Sequence, residues 1–178
     1  ATAPRRALAV DKVRFVGEAI AAVVAETREQ ARDALEAIEL DVEDLPAVTD
    51  PRAALADDAP RLSDAPDNLC ARMSHGDRAA TEAAFRAAAH VVALDLVNQR
   101  LAPSPIEPRA VVADFDPGTG RLTMHCASQM PTAVRNGLAN DTLGMPVDKV
   151  RVLVGDVGGG FGMKTGLYPE DVVVAFAS

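Results

Sequence analysis

From Val150 to Asp171 the chain reads V-R-V-L-V-G-D-V-G-G-G-F-G-M-K-T-G-L-Y-P-E-D. Four of the five residues 158–162 are glycine, and the exception is Phe161. Glycine adopts positive φ at little cost and has no Cβ to hold a ligand away, so this stretch can bring main-chain N–H groups close to a bound group. Donors fixed in a dry pocket stabilise an anionic oxygen without reorganising. A structural hairpin does not need so many glycines, and a large apolar ring suits a pocket wall better than a solvated bend. Phe161 is therefore predicted to line a site.

Two phosphate-cradling motifs can be tested against this stretch. The dinucleotide fingerprint G-x-G-x-x-G fails from Gly158, where Met163 takes the last glycine's place, and from Gly160, where Thr165 does. The P-loop G-x-x-x-x-G-K-[ST] comes nearer. Counted from Gly158, Lys164 and Thr165 fall in register, but Met163 replaces the glycine before the lysine.

Outside the loop, Gln129 stands at the end of one element and the start of another, a position where ligands are met in many α/β arrangements and where a plain helix-end hydrogen bond is the commoner role. Cys126 has no base near it in a recognisable pattern and reads as a small buried hydrophobe. His75, before Gly76 and Asp77, reads as a loop residue. Glu39, Asp41 and Glu43 read as the solvated face of a strand rather than a metal site. Nothing in the sequence around Glu107, Glu170 or Asp171 predicts a raised carboxyl pKa, so none of them is assigned as a general base.

The elements that would carry these groups can be read from pattern. Residues 13–25 hold β-branched and aromatic positions around Gly17, consistent with two short strands or one bulged strand. T-R-E-Q at Thr27–Gln30 is a capping box, followed by Ala31, Ala34, Leu35 and Ile38 at helical spacing. I-E-L-D-V-E from Ile38 to Glu43 alternates with period two, as a half-exposed strand does. Pro46–Asn68 is rich in Pro, Asp and Ala, has a weak helical pattern near 51–56, and supplies a domain boundary at 57–68. Asp77 caps a helix predicted over Arg78–Ala89, and a strand follows from His90 to Arg100. A-V-V-A-D-F-D, P-G-T-G and R-L-T-M-H-C-A-S form a hairpin with Leu122, Met124 and Cys126 on one face. Pro131 then opens a helix that turns Val134 and Leu138 inward and ends at Gly144.

The chain has 178 residues, 48% of them hydrophobic and 3% aromatic, with no Trp. Its core must therefore be built from Ala, Val and Leu, which bury less area per residue than rings do. A net charge of −8 argues against nucleic-acid binding, which needs a basic face. Two cysteines, Cys70 and Cys126, are too few for a four-thiolate iron–sulfur cluster or a Cys-rich zinc site. With no run of 18 apolar residues and no secretory leader, the expectation is a soluble cytoplasmic protein. The chain opens in mid-pattern and stops inside the apolar run Val172–Phe176, so it reads as a piece of a longer one.

The G-G-G-F-G core, with M-K after it and Y-P-E-D beyond, resembles the molybdopterin-binding large subunit of the molybdenum hydroxylases, the group of xanthine dehydrogenases, aldehyde oxidases and carbon monoxide dehydrogenases. Other stretches are similar too. V-G-E-A-I-A-A-V-V-A-E-T and the later L-P-A-V resemble the end of that group's α/β hammerhead domain. I-E-P-R at Ile106–Arg109 resembles its M-E-P-R, and Ala127-Ser128-Gln129 resembles a serine-threonine-glutamine run. The fold implied is α+β: residues 1–56 as the C-terminal part of a hammerhead domain, 57–68 as linker, and 69–178 as the N-terminal part of the mixed α/β molybdopterin-binding domain.

The resemblance implies a role for each of five residues. Gln129 sets its amide against the molybdenum centre, while Gly159, Gly160, Phe161 and Gly162 close over the molybdenum end of the pterin. The reaction implied is hydroxylation of an aldehyde or N-heterocycle with oxygen derived from water. The cofactor is molybdenum–molybdopterin in its cytosine dinucleotide form. The partners implied are the rest of the large subunit, a 2Fe–2S small subunit and an FAD-binding medium subunit. No residue of this chain binds the metal directly or acts as catalyst, since the family's general-base glutamate is expected further downstream. Purine-oxidising members carry glutamate after the G-K pair of the loop. Thr165 in this region cannot present two acceptor oxygens as a carboxylate would, which disfavours xanthine and leaves carbon monoxide open. The competing reading is a stand-alone nucleotide-binding or structural module that uses Gly158–Thr165 as a variant phosphate loop, with Lys164 on the phosphates.

Overall fold

A computed structural model describes residues 6–62, 67–99 and 101–178. They fall into two compact units, one of residues 46–102 and one of residues 6–45 together with 103–178.

In the first unit, Asp50 Oδ1 accepts from Arg52 and Ala53 N–H, both at 2.8 Å, and starts a 3₁₀ turn over Ala53–Leu55. The Asn68 amide donates to Ala54 O and Pro60 O at 2.9 Å and ties the segment after that turn to it. Helix α2 in chain order, Arg78–Ala87, begins where Asp77 Oδ1 accepts Ala80 N–H at 3.0 Å, as its cap signal predicts.

The second unit carries α1, Arg28–Glu36, closed at its start by the expected capping box: Thr27 Oγ1 accepts from Gln30 N and Gln30 Oε1 from Thr27 N. Three predicted strands differ from expectation. Residues 13–25, Ile38–Glu43 and 90–99 form no ladder among the described residues, and Arg100 lies outside them. Alternation favours an extended chain, but a strand exists only where a second edge meets its N–H and C=O groups. Glu39, Asp41 and Glu43 are solvent-exposed, and no group of three or more His, Cys, Asp or Glu able to hold a metal occurs among the described residues. No helix among them is long and apolar enough to cross a membrane.

The sheet of the second unit has three strands, β1 (Val111–Asp116), β2 (Arg121–Cys126) and β3 (Val150–Leu153), in that order. The predicted hairpin is present: β1 and β2 pair antiparallel with Val111 opposite Cys126, and Gly120, at φ +64, donates to Asp116 O at 2.8 Å to close the turn. β3 pairs parallel to β2, with Leu122 opposite Val150 and His125 opposite Leu153. A parallel pair needs a crossover. It is supplied by α3 (Pro131–Asn136), a π-helical turn (Gly137–Leu143) and a 3₁₀ turn (Val147–Lys149). Thr142 Oγ1 donates back to Leu138 O at 2.9 Å inside the wide turn, and Gly144, left-handed at φ 64, ends it.

The core is aliphatic and small, as the composition requires: Leu122 and Met124 from β2, Val134 from α3, Leu138 and Ala139 from the π turn, Val150 from β3 and Ala175. Ala175 belongs to α4 (Pro169–Ala177), which packs on β1. The run Val172–Phe176 is thus a helix, begun by Pro169 at its first position with Glu170 and Asp171 in its first turn.

Candidate functional site

The parallel pairing of β2 and β3 sets their C-terminal ends side by side, His125 opposite Leu153. Ser128 and Gln129 follow the first of these ends and the glycine loop follows the second. This edge beyond the carboxyl ends of adjacent strands is where open α/β sheets bind ligands.

The two segments are bonded together. Gln129 Oε1 accepts from Gly162 N–H at 3.1 Å and from Lys164 N–H at 3.2 Å. In return Gln129 N–H donates to Lys164 O at 2.8 Å. Ser128, 6% exposed, donates from Oγ to the same carbonyl at 3.2 Å and accepts Met130 N–H at 3.0 Å, so the small polar residue beside the glutamine is part of the joint. Because both partners of the amide oxygen are N–H donors, the orientation of the Gln129 amide is fixed. Its Nε2 is turned away from the loop's donors and bonds to no group among the described residues.

The glycines are needed by this closeness. A Cβ on Gly160 would stand 2.4 Å from Gln129 Cδ, one on Gly158 2.5 Å from Glu107 Cβ, and one on Gly159 3.1 Å from Pro105 Cβ. Met163 N–H donates to Gly160 O at 2.8 Å across a tight turn whose central residues, Phe161 at φ 49 and Gly162 at φ 83, are both left-handed. A left-handed conformation costs a residue with a Cβ about 1–2 kcal/mol. The Phe161 ring is 75% exposed rather than set into a wall. Its neighbour Gly160 faces Gln129, and the ring stands at the tip of the turn. Since this position strains a phenylalanine and buries little of it, Phe161→Gly is expected to leave thermal unfolding unchanged or raised. A fall of several degrees in the melting temperature would contradict that.

The N–H groups of Gly159, Gly160 and Phe161 make no hydrogen bond to any described residue. Three consecutive loop N–H groups without a partner among the described residues, beside a locked amide side chain, supply donors that suit oxygen or other anionic acceptors. Gln129, Gly159, Gly160 and Gly162 are brought together, with Phe161 at their edge.

Two residues that the sequence did not assign to this site complete it. Lys164, whose side chain is 0% exposed, donates from Nζ to Glu107 Oε2 at 2.7 Å. Gly158 N–H donates to the same oxygen at 2.8 Å, and Glu107 N–H to Gly158 O at 3.3 Å. The Lys164 ammonium, and after it the Gly158 N–H, hold the Glu107 carboxyl below the ordinary glutamate range. Its contribution to stability is therefore present above that range and is lost as pH falls through the depressed value. Fifty-seven residues separate the pair, and no local pattern links them.

Beyond the loop, the Arg109 guanidinium lies over the Tyr168 ring, 3.4 Å from its centroid, and pairs with Glu170. The Tyr168 hydroxyl donates to Met163 O, anchoring the loop's exit. Arg109 Nη1 is buried without a partner among the described residues. A cavity of about 10 Å³, lined in part by Arg109, Cys126, Ser128 and Asp171, adjoins this cluster. Cys126 is a free thiol pushed up by burial, in keeping with a packing role.

Asp171 corrects the expectation of an unperturbed carboxyl: burial raises its pKa, against the opposing hydrogen bond from Tyr168 N–H, which donates to Oδ2 at 2.9 Å. A raised acid favours the fold below its unfolded pKa and loses that advantage as pH rises through the folded value. Asp171→Asn keeps an acceptor for Tyr168 and never charges. Its stability relative to the natural chain should rise with pH through this region and show no gain in acid, whereas Asp171→Ala should lose about 1 kcal/mol with the helix-start bond. Thermal unfolding of the three proteins across pH reads both effects. An Asn variant that lost stability relative to the natural chain as pH rose would contradict the burial account.

The family model described as molybdopterin cofactor-binding domain matches residues 62–178, and that of the aldehyde oxidase and xanthine dehydrogenase a/b hammerhead domain matches residues 1–46. The chain is 38% identical, over 96% of its length, to the carbon monoxide dehydrogenase large chain of Hydrogenophaga pseudoflava, and covers 23% of that protein. It is 37% identical, again over 96% of its length, to the nicotine 6-hydroxylase large subunit of Paenarthrobacter nicotinovorans, of which it covers 21%. Among solved structures, quinoline 2-oxidoreductase from Pseudomonas putida 86 superposes with a TM-score of 0.81 at 37% identity, over 97% of this chain and 22% of that one.

Proposed function

The chain belongs to the molybdenum hydroxylase large subunits, molybdenum-dependent oxidoreductases, and from that premise we propose that Gln129 and the Gly159–Gly162 loop form the wall facing the molybdenum end of a bound molybdopterin. The observation that carries this is the locked Gln129 amide, with Nε2 left free beside three unbonded loop N–H groups. When bound, the cofactor supplies the redox chemistry that hydroxylates an electron-poor carbon. This chain's part is to hold donors at fixed positions toward negative charge at the cofactor's metal end, where a preorganised donor stabilises negative charge that develops in the reaction. The exposed Phe161 ring, at the tip of the turn, would meet the approaching substrate.

The substrate class we favour is an N-heterocycle or an aldehyde. Relatives named for nicotine and quinoline support the first. Thr165 Oγ1 donates to Gly162 O at 2.9 Å, so its hydroxyl is engaged within the loop and offers no carboxylate-like acceptor to a purine. A relative named for carbon monoxide keeps that substrate as an outcome to test. We assign residues 1–56 to a hammerhead part, 57–68 to a linker and 69–178 to the start of the cofactor-binding domain. The cofactor is read as the cytosine dinucleotide form, with electrons passing to a 2Fe–2S small subunit and an FAD-binding medium subunit in the cytoplasm. The general-base glutamate is read as part of the longer protein.

The phosphate-loop alternative loses its lysine: Lys164 Nζ is sealed against Glu107 and cannot extend to a nucleotide. The chain spans 23% of the length of the carbon monoxide dehydrogenase large chain and 21% of that of the nicotine 6-hydroxylase large subunit, so we place most cofactor contacts in sequence outside it. The 178-residue chain alone should accordingly retain no stoichiometric molybdenum, while the full-length protein carries molybdenum and pterin in equal amounts. Metal and pterin analysis of both preparations tests the reading, and a full-length protein free of molybdenum would overturn it.

A further inference from the structure

We infer that Glu107 and Lys164 are positioning residues: one oxygen, Glu107 Oε2, accepts both the Gly158 N–H and the Lys164 ammonium, and so ties the entry of the glycine loop to its exit. Three features argue for this. The pair closes on residues 158 and 164, which bracket the unbonded donors at 159–161. Among the described residues Lys164 is otherwise bonded through its main chain, to Gln129 and to Ser128, so its side chain adds a separate tether. The contact is also sterically committed, since Gly158 approaches Glu107 so closely that a Cβ would stand 2.5 Å from Glu107 Cβ.

A lysine side chain at 0% exposure opposite a single carboxylate is costly to keep unless the pairing does something. An apolar side chain would fill the same space. What an apolar pair could not do is bond Gly158 N–H and a residue six positions along at one point. For a loop whose worth lies in where its N–H groups stand, a displacement of about 1 Å is enough to matter. Glu107 accordingly acts through the loop and not on the substrate, and this inference rests on the cofactor-facing role proposed above.

The test uses the full-length protein and two readouts. Hydrogen exchange by mass spectrometry follows a peptide covering residues 155–165, with the β1–β2 hairpin as the internal reference. Glu107→Gln keeps an acceptor for Gly158 but strands the buried cation. It should speed exchange in the loop about tenfold or more and leave the hairpin unchanged. Lys164→Met, which fills the space without charge and leaves Glu107 part-exposed, should do the same should the first variant fold poorly. The double variant Glu107→Gln with Lys164→Met removes the stranded charge and should return toward the exchange of Lys164→Met alone. In the loaded protein both single variants should keep their molybdenum and lose about tenfold in kcat with KM little changed. Loop exchange equal to that of the natural protein, a rise shared equally by the hairpin, or faster loop exchange with unaltered kcat would each overturn the inference. Molybdenum missing from the natural protein would instead sink the cofactor reading, and the exchange comparison would still decide whether the pair fixes the loop.

Discussion

Gln129→Glu should fold as the natural protein does and lose about 100-fold or more in kcat. The substitution is nearly isosteric. A carboxylate accepts from Gly162 and Lys164 N–H as well as the amide oxygen does, so both bonds that hold the loop, at 3.1 and 3.2 Å, survive. What disappears is Nε2, the side-chain donor that those bonds turn outward, and a negative charge takes its place beside the free N–H groups of Gly159, Gly160 and Phe161. Gln129→Ala is the contrasting variant. It removes the donor and also both loop bonds, each worth roughly 1 kcal/mol, so it should lower thermal stability as well as rate. If the Glu variant kept kcat within a few-fold, the amide would be a structural joint and nothing more.

Gly160→Ala should also lose about 100-fold in kcat, by a steric route. Its Cβ would stand 2.4 Å from both Gln129 Cδ and Oε1. The Gln129 side chain is the far end of a flexible group, but here its oxygen is held by two loop N–H donors, so it can yield only by giving them up. Overpacking of this kind costs about 1–3 kcal/mol, and the larger consequence is that the amide and the donors no longer stand in register. Gly166→Ala supplies the control, since a Cβ there meets nothing within 4 Å. Equal kcat in the two alanine variants would mean that the close approach at Gly160 has no functional weight.

The joint between Gln129 and the glycine loop was half legible in the sequence. Turn and cap residues gave the hairpin, the start of α3 and the glycine at position 144, because those signals act over a few residues. The loop's bare backbone was also plain. That it would meet residue 129 followed from a family resemblance and not from pattern, since parallel pairing of β2 with β3 joins residues some thirty positions apart.

Other features were illegible for physical reasons that can be named. The stretch at 13–25 has the residue types of strands and that at 38–43 their alternation, but neither signal says whether a partner edge is present. The apolar run at 172–176 carries no period of its own that separates helix from strand, and the helix start is marked by Pro169 with the acidic pair behind it. Lys164 looked like a candidate for phosphate because lysine after a glycine loop so often is. Its burial against Glu107 depends on a fold that brings the I-E-P-R segment beneath the loop. The raised carboxyl of Asp171 comes from packing of α4 on β1, which no local signal records. Phe161 was expected to line a pocket from its type alone. The left-handed turn that carries it sets its ring at an exposed tip.

A crystal structure of the full-length protein with its cofactor is the most direct test of the claim that this loop and this amide face the molybdenum. The account predicts Gln129 Nε2 within about 3 Å of an acceptor in the metal's ligand sphere, with the Gly159–Phe161 N–H groups turned to the same end of the pterin. A cofactor bound with its metal remote from residue 129, or a loop turned away from it, would contradict the account.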